Sequence, residues 1–140
     1  MFVVLDANHF TEFANATAPG KRLMARIKKR QADVFSCIVA AEESLRGWLA
    51  FVRSRTNGLN QLEPYARLLA CIETLNKFTI LPFDQEAALA FHRLQKEHPR
   101  TGTMDLKIAA ICLAHDSMLL TRNLSDFDGI PGLRVENWLD

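Results

Sequence analysis

The alternation of short apolar runs with longer helical stretches is the feature that most constrains the fold of this chain. The segment FVVL at residues 2–5 is continuously apolar and rich in β-branched residues, which is typical of a strand buried on both faces of a parallel sheet. Similar runs follow at residues 33–38, 78–83, 117–120 and 133–135. The stretches between them repeat apolar residues at helical spacing. The order predicts an α/β domain with a mainly parallel sheet of roughly four to five strands.

The size and composition of the chain are those of one globular domain over residues 1–140. It has 140 residues, a net charge of +1 and 49% apolar residues. No apolar run approaches the roughly 18–20 residues that a membrane span needs, and no basic segment precedes the first apolar run. We therefore expect a cytosolic protein without a signal peptide. Cys37, Cys71 and Cys112 are far apart and form no C-x-x-C pair, which argues against a disulfide framework and a zinc site.

Acidic and amide side chains fall where a parallel sheet places its binding crevice. Asp6 directly follows the first strand, and Asn123 and Asp126 follow the fourth. Asp105 lies in the first turn of the apolar helix before the fourth strand, with Thr103 as the expected N-cap. Each of these residues also has an ordinary explanation as a helix cap, a partner of the helix dipole or a turn residue. The functional alternative is one crevice at the carboxyl ends of the strands.

A pair of glutamates, Glu42 and Glu43, lies one to two turns into the helix after the second strand. Neighbouring residues point about 100° apart around a helix, so at most one of the two faces the crevice. Glu43 is four residues before Gly47 and shares its face, and a glycine there permits close backbone approach. This spacing favours Glu43 as the inward side chain, with Glu42 as the alternative.

Several carboxylates in one crevice repel each other and are tolerated when a divalent cation neutralises them. Oxygen ligands without His or Cys select Mg²⁺ or Mn²⁺. Such ions serve phosphoryl chemistry by stabilising negative charge and activating water. If the acids converge, the sequence indicates metal-dependent chemistry on a phosphate ester.

These residues resemble the PIN-domain family, and in particular its VapC-type toxin ribonucleases of type II toxin–antitoxin pairs. The resemblance rests on VVLDAN, EESLRG, GTMDLKIAAICLAHDSMLLTRNLSDF and IPGLRVENW, which span nearly the whole chain. It implies a single PIN domain with a three-layer α/β/α fold and an acidic pocket for Mg²⁺, for which Mn²⁺ can substitute. It also implies hydrolysis of RNA phosphodiester bonds, in tRNA or another structured RNA, which inhibits translation and growth. The implied protein partners are a cognate antitoxin and a second copy in a homodimer.

The resemblance assigns the catalytic and metal-binding roles residue by residue. The first acid of the family falls on Asp6, its glutamate on Glu43 and its third acid on Asp105. The fourth position falls on Asp126 or on Asn123. With Asn123 in that place one metal site is weaker, and a single-metal mechanism becomes more plausible.

Residues around this pocket would support the acids and the substrate. Thr121 would help to orient a water molecule or a carboxylate. The stretch 21–30, KRLMARIKKR, holds six basic side chains and no acid, so it is either a solvated helix surface or a nucleic-acid face. Together with Arg46 and Arg122 it is a candidate for holding the RNA backbone. The amphipathic stretch 60–78 is expected to be core or dimer surface.

Two other classes of function compete with this hypothesis. A non-catalytic PIN-fold module that binds RNA or a partner protein is compatible with Asn123 in place of a carboxylate. Another Mg²⁺-using α/β protein, such as a phospho-accepting receiver, needs an acid pair at the end of the first strand, where this chain offers only Asp6. Metal-dependent cleavage of RNA distinguishes the nuclease from the binding module.

Overall fold

A five-stranded sheet in which every strand pair is parallel runs through the centre of the computed structural model, which describes residues 1–140. Its order is β3-β2-β1-β4-β5. The strands are β1 Phe2–Leu5, β2 Asp33–Cys37, β3 Thr79–Leu81, β4 Met118–Leu120 and β5 Val135–Glu136. The parallel α/β fold predicted from the alternation of elements is confirmed.

Six α-helices and one 3-10 helix connect the strands. The α-helices are α1 Ala7–Ala14, α2 Ala18–Arg30, α3 Ile38–Arg53, α4 Leu62–Leu75, α5 Gln85–Glu97 and α6 Thr103–Ala114, and the 3-10 helix is Leu124–Phe127. No helix is both long enough and apolar enough to cross a membrane.

The helices cover both faces of the sheet and form two cores. Successive strand residues point to opposite faces, so Val4 packs with Leu94 of α5 and Ile108 of α6. Its neighbour Leu5 lies in the other core with Leu23 of α2, and with α1 and α4. The predicted three-layer α/β/α arrangement is therefore confirmed.

The strand order changes direction at β1, which places a crevice at the carboxyl ends of β1 and β4. In the register of these two strands Leu5 lies beside Leu120. The backbone N–H of Asp6 continues the pairing by donating to the carbonyl of Leu120 at 3.1 Å. The first residues after both strands thus share one edge of the sheet.

The caps of two helices show how their first residues are fixed. Helix α6 begins at Thr103, and its N-cap is Gly102, whose carbonyl accepts from the N–H of Leu106 at 3.0 Å. The prediction of Thr103 as N-cap is therefore wrong by one residue. Helix α2 begins at Ala18 because Thr17 caps it, with Oγ1 accepting from the N–H of Gly20 at 3.1 Å.

Candidate active site

Asp6 is both a helix cap and a nearly buried carboxylate at the edge of the sheet, with 9% of its surface exposed. Its Oδ1 accepts from the backbone N–H of His9 at 2.8 Å and lies 3.2 Å from His9 Nδ1. Both bonds use the same oxygen, so Oδ2 is not engaged by them. Asp6 can therefore cap helix α1 with Oδ1 and still offer Oδ2 to a ligand.

Helix α3 turns Glu43 inward and Glu42 outward. Glu42 is exposed and forms an ion pair with Arg46 at 2.7 Å. Glu43 is half-buried, and its Oε1 is buried without a hydrogen-bond partner. The geometry thus agrees with Glu43 as the inward residue, as its spacing suggested.

The role expected for Gly47 needs correction. A Cβ built at Gly47 would meet no atom within 4 Å, so no backbone packs closely against it. Gly47 instead lies with Glu43 in the wall of an open groove of about 500 Å³, whose other lining residues include Trp48 and Phe51. The prediction that Glu43 and Gly47 share one face of α3 is correct, but this face borders solvent-accessible space and does not pack closely against another helix.

Asp105 and Asp126 bring two further carboxylates to the same region. Asp105 lies in the first turn of α6 and is half-buried, and Asp126 is exposed in the 3-10 helix that follows β4. Burial raises the pKa of Asp105, and the negative charges of Asp126 and Asp6 raise it further. Asp105 therefore lies within electrostatic range of both residues.

Glu43 experiences the same crowding of negative charge. Its pKa is raised first by burial and then by Asp105, Asp6 and Glu42, while Arg46 partly opposes the shift. The pKa values of Glu43 and Asp105 are thus raised by the same two causes, burial and repulsion from neighbouring carboxylates. The four acids expected from the sequence to converge are thus in electrostatic contact through Asp105.

The donor set fits a divalent cation that prefers oxygen ligands. No three His, Cys, Asp or Glu side chains are already gathered closely enough to hold an ion. The unpartnered Glu43 Oε1, the unengaged Asp6 Oδ2 and the mutual repulsion of the acids are all relieved by a bound cation. Mg²⁺ and Mn²⁺ prefer carboxylate oxygens of this kind.

The loop after β4 is shaped by Thr121. This residue is buried, its N–H donates to the carbonyl of Glu136 at 3.0 Å, and its Oγ1 accepts from the N–H of Asn123 at 3.1 Å. The Asn123 side chain is exposed and does not cap the 3-10 helix. Thr121 therefore orients the start of the loop that carries Asn123 and Asp126, and the charge of Asp126 raises the pKa of Asp105.

Half of the basic side chains in residues 21–30 are used within the chain. Arg22 Nε donates to the carbonyl of Leu139 at 2.9 Å, and Arg30 pairs with Glu136 at 2.8 Å. Arg26 donates to the carbonyls of Asn137 and Asp140 at 3.2 and 2.8 Å. These three arginines hold the C-terminal segment 136–140, whereas Lys21, Lys28 and Lys29 are exposed.

The two other candidate arginines are also paired. Arg122 binds Asp140 at 3.2 Å and Asn8 Oδ1 at 3.2 Å, and Arg46 binds Glu42. The Arg46–Glu42 pair is exposed at the helix surface, where such pairs contribute little stability. Arg46 can therefore exchange its partner for a phosphate at low cost.

Sequence reasoning missed His9 and Trp138, which contact the site from behind. His9 is completely buried, and its Nε2 accepts from the backbone N–H of Trp138 at 3.3 Å. The available signal was the D-x-x-H spacing after the first strand, because a helix cap and the residue three positions later lie side by side.

Comparison with known proteins identifies the family. The PIN domain family matches residues 3–133, so the chain belongs to this family. It is 42% identical over 74 residues to "Ribonuclease VapC1" of Rickettsia felis, which covers 49% of this chain and 55% of that protein. It is 32% identical over 77 residues to the "tRNA(fMet)-specific endonuclease VapC" of Salmonella typhimurium, covering 51% and 58%. The chain thus spans less than two thirds of the length of these two curated relatives.

Solved structures of the same fold cover the whole chain. The structure of VapBC2 from Rickettsia felis bound to a promoter DNA fragment superposes with a TM-score of 0.74 at 21% identity, over 99% of both chains. That of VapBC-1 from nontypeable Haemophilus influenzae gives a TM-score of 0.75 at 18% identity, over 100% of both. At this identity the likeness establishes the fold.

Proposed function

We propose that this chain is a Mg²⁺-dependent endoribonuclease, for which Mn²⁺ can substitute, and that it is the toxin of a toxin–antitoxin pair. The observation that carries the proposal is the electrostatic interaction among Asp6, Glu43, Asp105 and Asp126 at the carboxyl edge of the sheet, with Glu43 Oε1 buried and unpartnered. Membership of the PIN domain family and relatives named as ribonucleases support it.

In the proposed mechanism Asp6 and Asp105 would hold the ion, and Glu43 together with Asp126 or Asn123 would supply further oxygen ligands, directly or through water. The ion, when bound, supplies Lewis acidity at the phosphate and makes water a better nucleophile. Glu43 Oε1 is buried without a hydrogen-bond partner, so this oxygen is free to bind the ion or a water molecule beside it. The backbone N–H of His9 fixes Asp6 Oδ1.

The RNA backbone lies outside the acidic cluster and meets basic side chains at its rim. Arg46 is exposed beside Glu42, one helical turn from Glu43, and is the best-placed arginine for a phosphate. Phosphate contacts position a substrate without reading its sequence, so selection rests on unpaired bases of a structured RNA. We propose tRNA or another structured RNA as substrate, with inhibition of translation and growth as the consequence.

The antitoxin would cover the apolar groove along α3, next to the acidic helix face. This groove encloses about 940 Å³, and Ile38, Leu45, Leu49 and Phe83 are among its lining residues. Arg53 and Lys107 add positive charge, which suits a segment that is apolar and acidic. A solved structure that shares the fold is described as a toxin–antitoxin complex from Klebsiella pneumoniae, which supports an antitoxin as partner. The buried free cysteines suit a reducing cytoplasm.

The test is cleavage of total bacterial RNA by the purified chain, with Mg²⁺, with Mn²⁺ and with EDTA, followed by sequencing of the new ends. We expect discrete cuts that EDTA abolishes and that the Asp6→Asn, Asp105→Asn double variant does not make. RNA binding without cuts under any metal would favour the non-catalytic binding module. Cuts that persist in the double variant would show that the reaction does not use these carboxylates.

A further inference from the structure

His9 is buried between the candidate site and the C-terminal segment, and both of its ring nitrogens are engaged. Nε2 lies 3.3 Å from the backbone nitrogen of Trp138, and Nδ1 lies 3.2 Å from Asp6 Oδ1. A backbone N–H can only donate, so Nε2 must accept in this bond. The ring proton of a neutral imidazole is then on Nδ1 and is donated to Asp6.

The Trp138 N–H that selects this tautomer is itself held in place. The Trp138 ring is buried, with its Nε1 donating to Glu136 at 2.7 Å and the Arg30 guanidinium 4.8 Å from its centroid. Arg22 and Arg26 fix the carbonyls on either side of it through three hydrogen bonds. A continuous set of bonds therefore runs from α2 through the C-terminal segment and His9 to Asp6.

We propose that His9 is a positioning residue that orients the Asp6 carboxylate for metal binding, and that the C-terminal segment 136–140 sets its tautomer. Two donors of the same residue, the His9 N–H and Nδ1–H, fix Asp6 Oδ1 and leave Oδ2 as the oxygen available to an ion. Groups that orient metal ligands in this way typically contribute about 10–100-fold to metal affinity. The inference rests on the proposed metal-binding role of Asp6.

Two variants separate positioning from simple packing. The amide nitrogen of Asn reaches the place of Nδ1, so His9→Asn keeps a donor for Asp6 and loses the acceptor for Trp138. The longer His9→Gln keeps a polar group near Nε2 and loses the donor to Asp6. We expect His9→Asn to bind Mn²⁺ within about 3-fold of the wild type, and His9→Gln to bind it about 10–100-fold more weakly, by titration calorimetry.

Thermal unfolding of both variants without metal supplies the control. Each variant replaces a fully buried imidazole ring with an amide side chain and loses one hydrogen bond. If the role of His9 were purely structural, both variants would have lower Tm values and would weaken Mn²⁺ binding equally. Equal weakening of Mn²⁺ binding would overturn the proposal. A difference in Mn²⁺ affinity between variants of similar Tm supports it.

The wild-type tautomer is measured directly by long-range ¹H–¹⁵N NMR correlation of the histidine rings at about pH 8. The His9 signals are those absent from the spectra of both variants. We expect the proton on Nδ1; a proton on Nε2 would overturn the inference and leave the proposed function untouched. A wild type that binds no Mn²⁺ would instead overturn the metal-dependent function, and with it the role of His9 towards an ion.

Discussion

Asp6 and Asp105 each stabilise a helix start and also belong to the group of acids at the edge of the sheet. Asp6 caps α1 through Oδ1, and its second oxygen is not engaged in that cap. Asp105 lies in the first turn of α6, where the helix dipole favours an acid, and is also in electrostatic contact with Asp6 and Asp126. A structural explanation for each acid, taken alone, therefore gives no argument against a shared function.

The buried charge of Glu43 should reduce the stability of the metal-free protein. Its folded-state pKa is raised above the ordinary value of 4.5, so the folded state binds the proton more tightly than the unfolded state. Stability from this group is present below pH 4.5 and is lost as the pH rises through the folded-state pKa. We expect Glu43→Gln to raise Tm at pH 7 by about 2–4 °C in EDTA, with the gain disappearing towards pH 4.

The matched control is Glu42→Gln, which changes the neighbouring, exposed carboxylate. It removes the surface pair with Arg46 and the weakest of the negative charges that act on Glu43, two small and opposing effects, so its Tm should change by about 1 °C or less. Saturating Mn²⁺ should stabilise the wild type more than Glu43→Gln. A lower Tm for Glu43→Gln at pH 7 in EDTA would contradict the electrostatic description of this residue.

At the scale of elements, sequence patterns predicted the helices and strands that form through interactions between residues close in sequence. The strand β1 and the inward face of α3 follow from apolar runs and helical periodicity. The partners of α2 could not be predicted in this way, because Arg26 bonds Asn137, which is 111 residues away in sequence. Composition could not decide between nucleic-acid binding and intramolecular hydrogen bonding for this helix, because the same run of basic residues suits both roles.

The contribution of the hydrogen bonds between α2 and the C-terminal segment to stability can be measured by replacing Arg26. Its guanidinium donates to two backbone carbonyls, and hydrogen bonds from charged groups contribute about 1.5–3 kcal/mol each when buried and less when exposed. We expect Arg26→Ala to lower the free energy of unfolding in urea by about 1–2 kcal/mol. Lys28→Ala, an exposed lysine of the same helix, should change it by less than about 0.5 kcal/mol. Equal effects would mean that the C-terminal contacts add no stability.

At the scale of the molecule, the order of strands depends on long-range pairing that the sequence does not display. The alternation of elements predicted a parallel sheet, but not that β1 lies between β2 and β4. That placement brings Asp6 beside the loop carrying Asp126, although 120 residues separate them in sequence. Convergence of the acids could be expected from the fold class, whereas the contacts of His9 with Trp138 could not.

Helix α4 presents an apolar stripe that no other element covers. Leu62, Tyr65, Leu69 and Ile72 are all exposed and recur at intervals of three and four residues, the spacing of a helix–helix seam. This stripe fits the expected homodimer, for which a second α4 is the simplest partner. The opposite side of α4, including Cys71 and Leu75, packs into the core.

We expect the wild type to sediment as a dimer and the Tyr65→Asp, Leu69→Asp double variant to sediment as a monomer at the same concentration. Burial of charged side chains in such a seam is strongly unfavourable, whereas the exposed positions tolerate them in the monomer. Glu73→Ala, an exposed polar position of the same helix, should leave the dimer intact. A double variant that remains dimeric with unchanged circular dichroism would place the dimer contact on another face.

We propose above all that a divalent ion binds among the acids at the carboxyl edge of the sheet. The most direct measurement is anomalous diffraction at the manganese edge from crystals grown with saturating Mn²⁺. We predict an anomalous peak in contact with the carboxylates of Asp6 and Asp105, and its loss in the Asp6→Asn, Asp105→Asn double variant. Wild-type crystals with no peak at these residues, or with manganese bound only elsewhere, would contradict the claim.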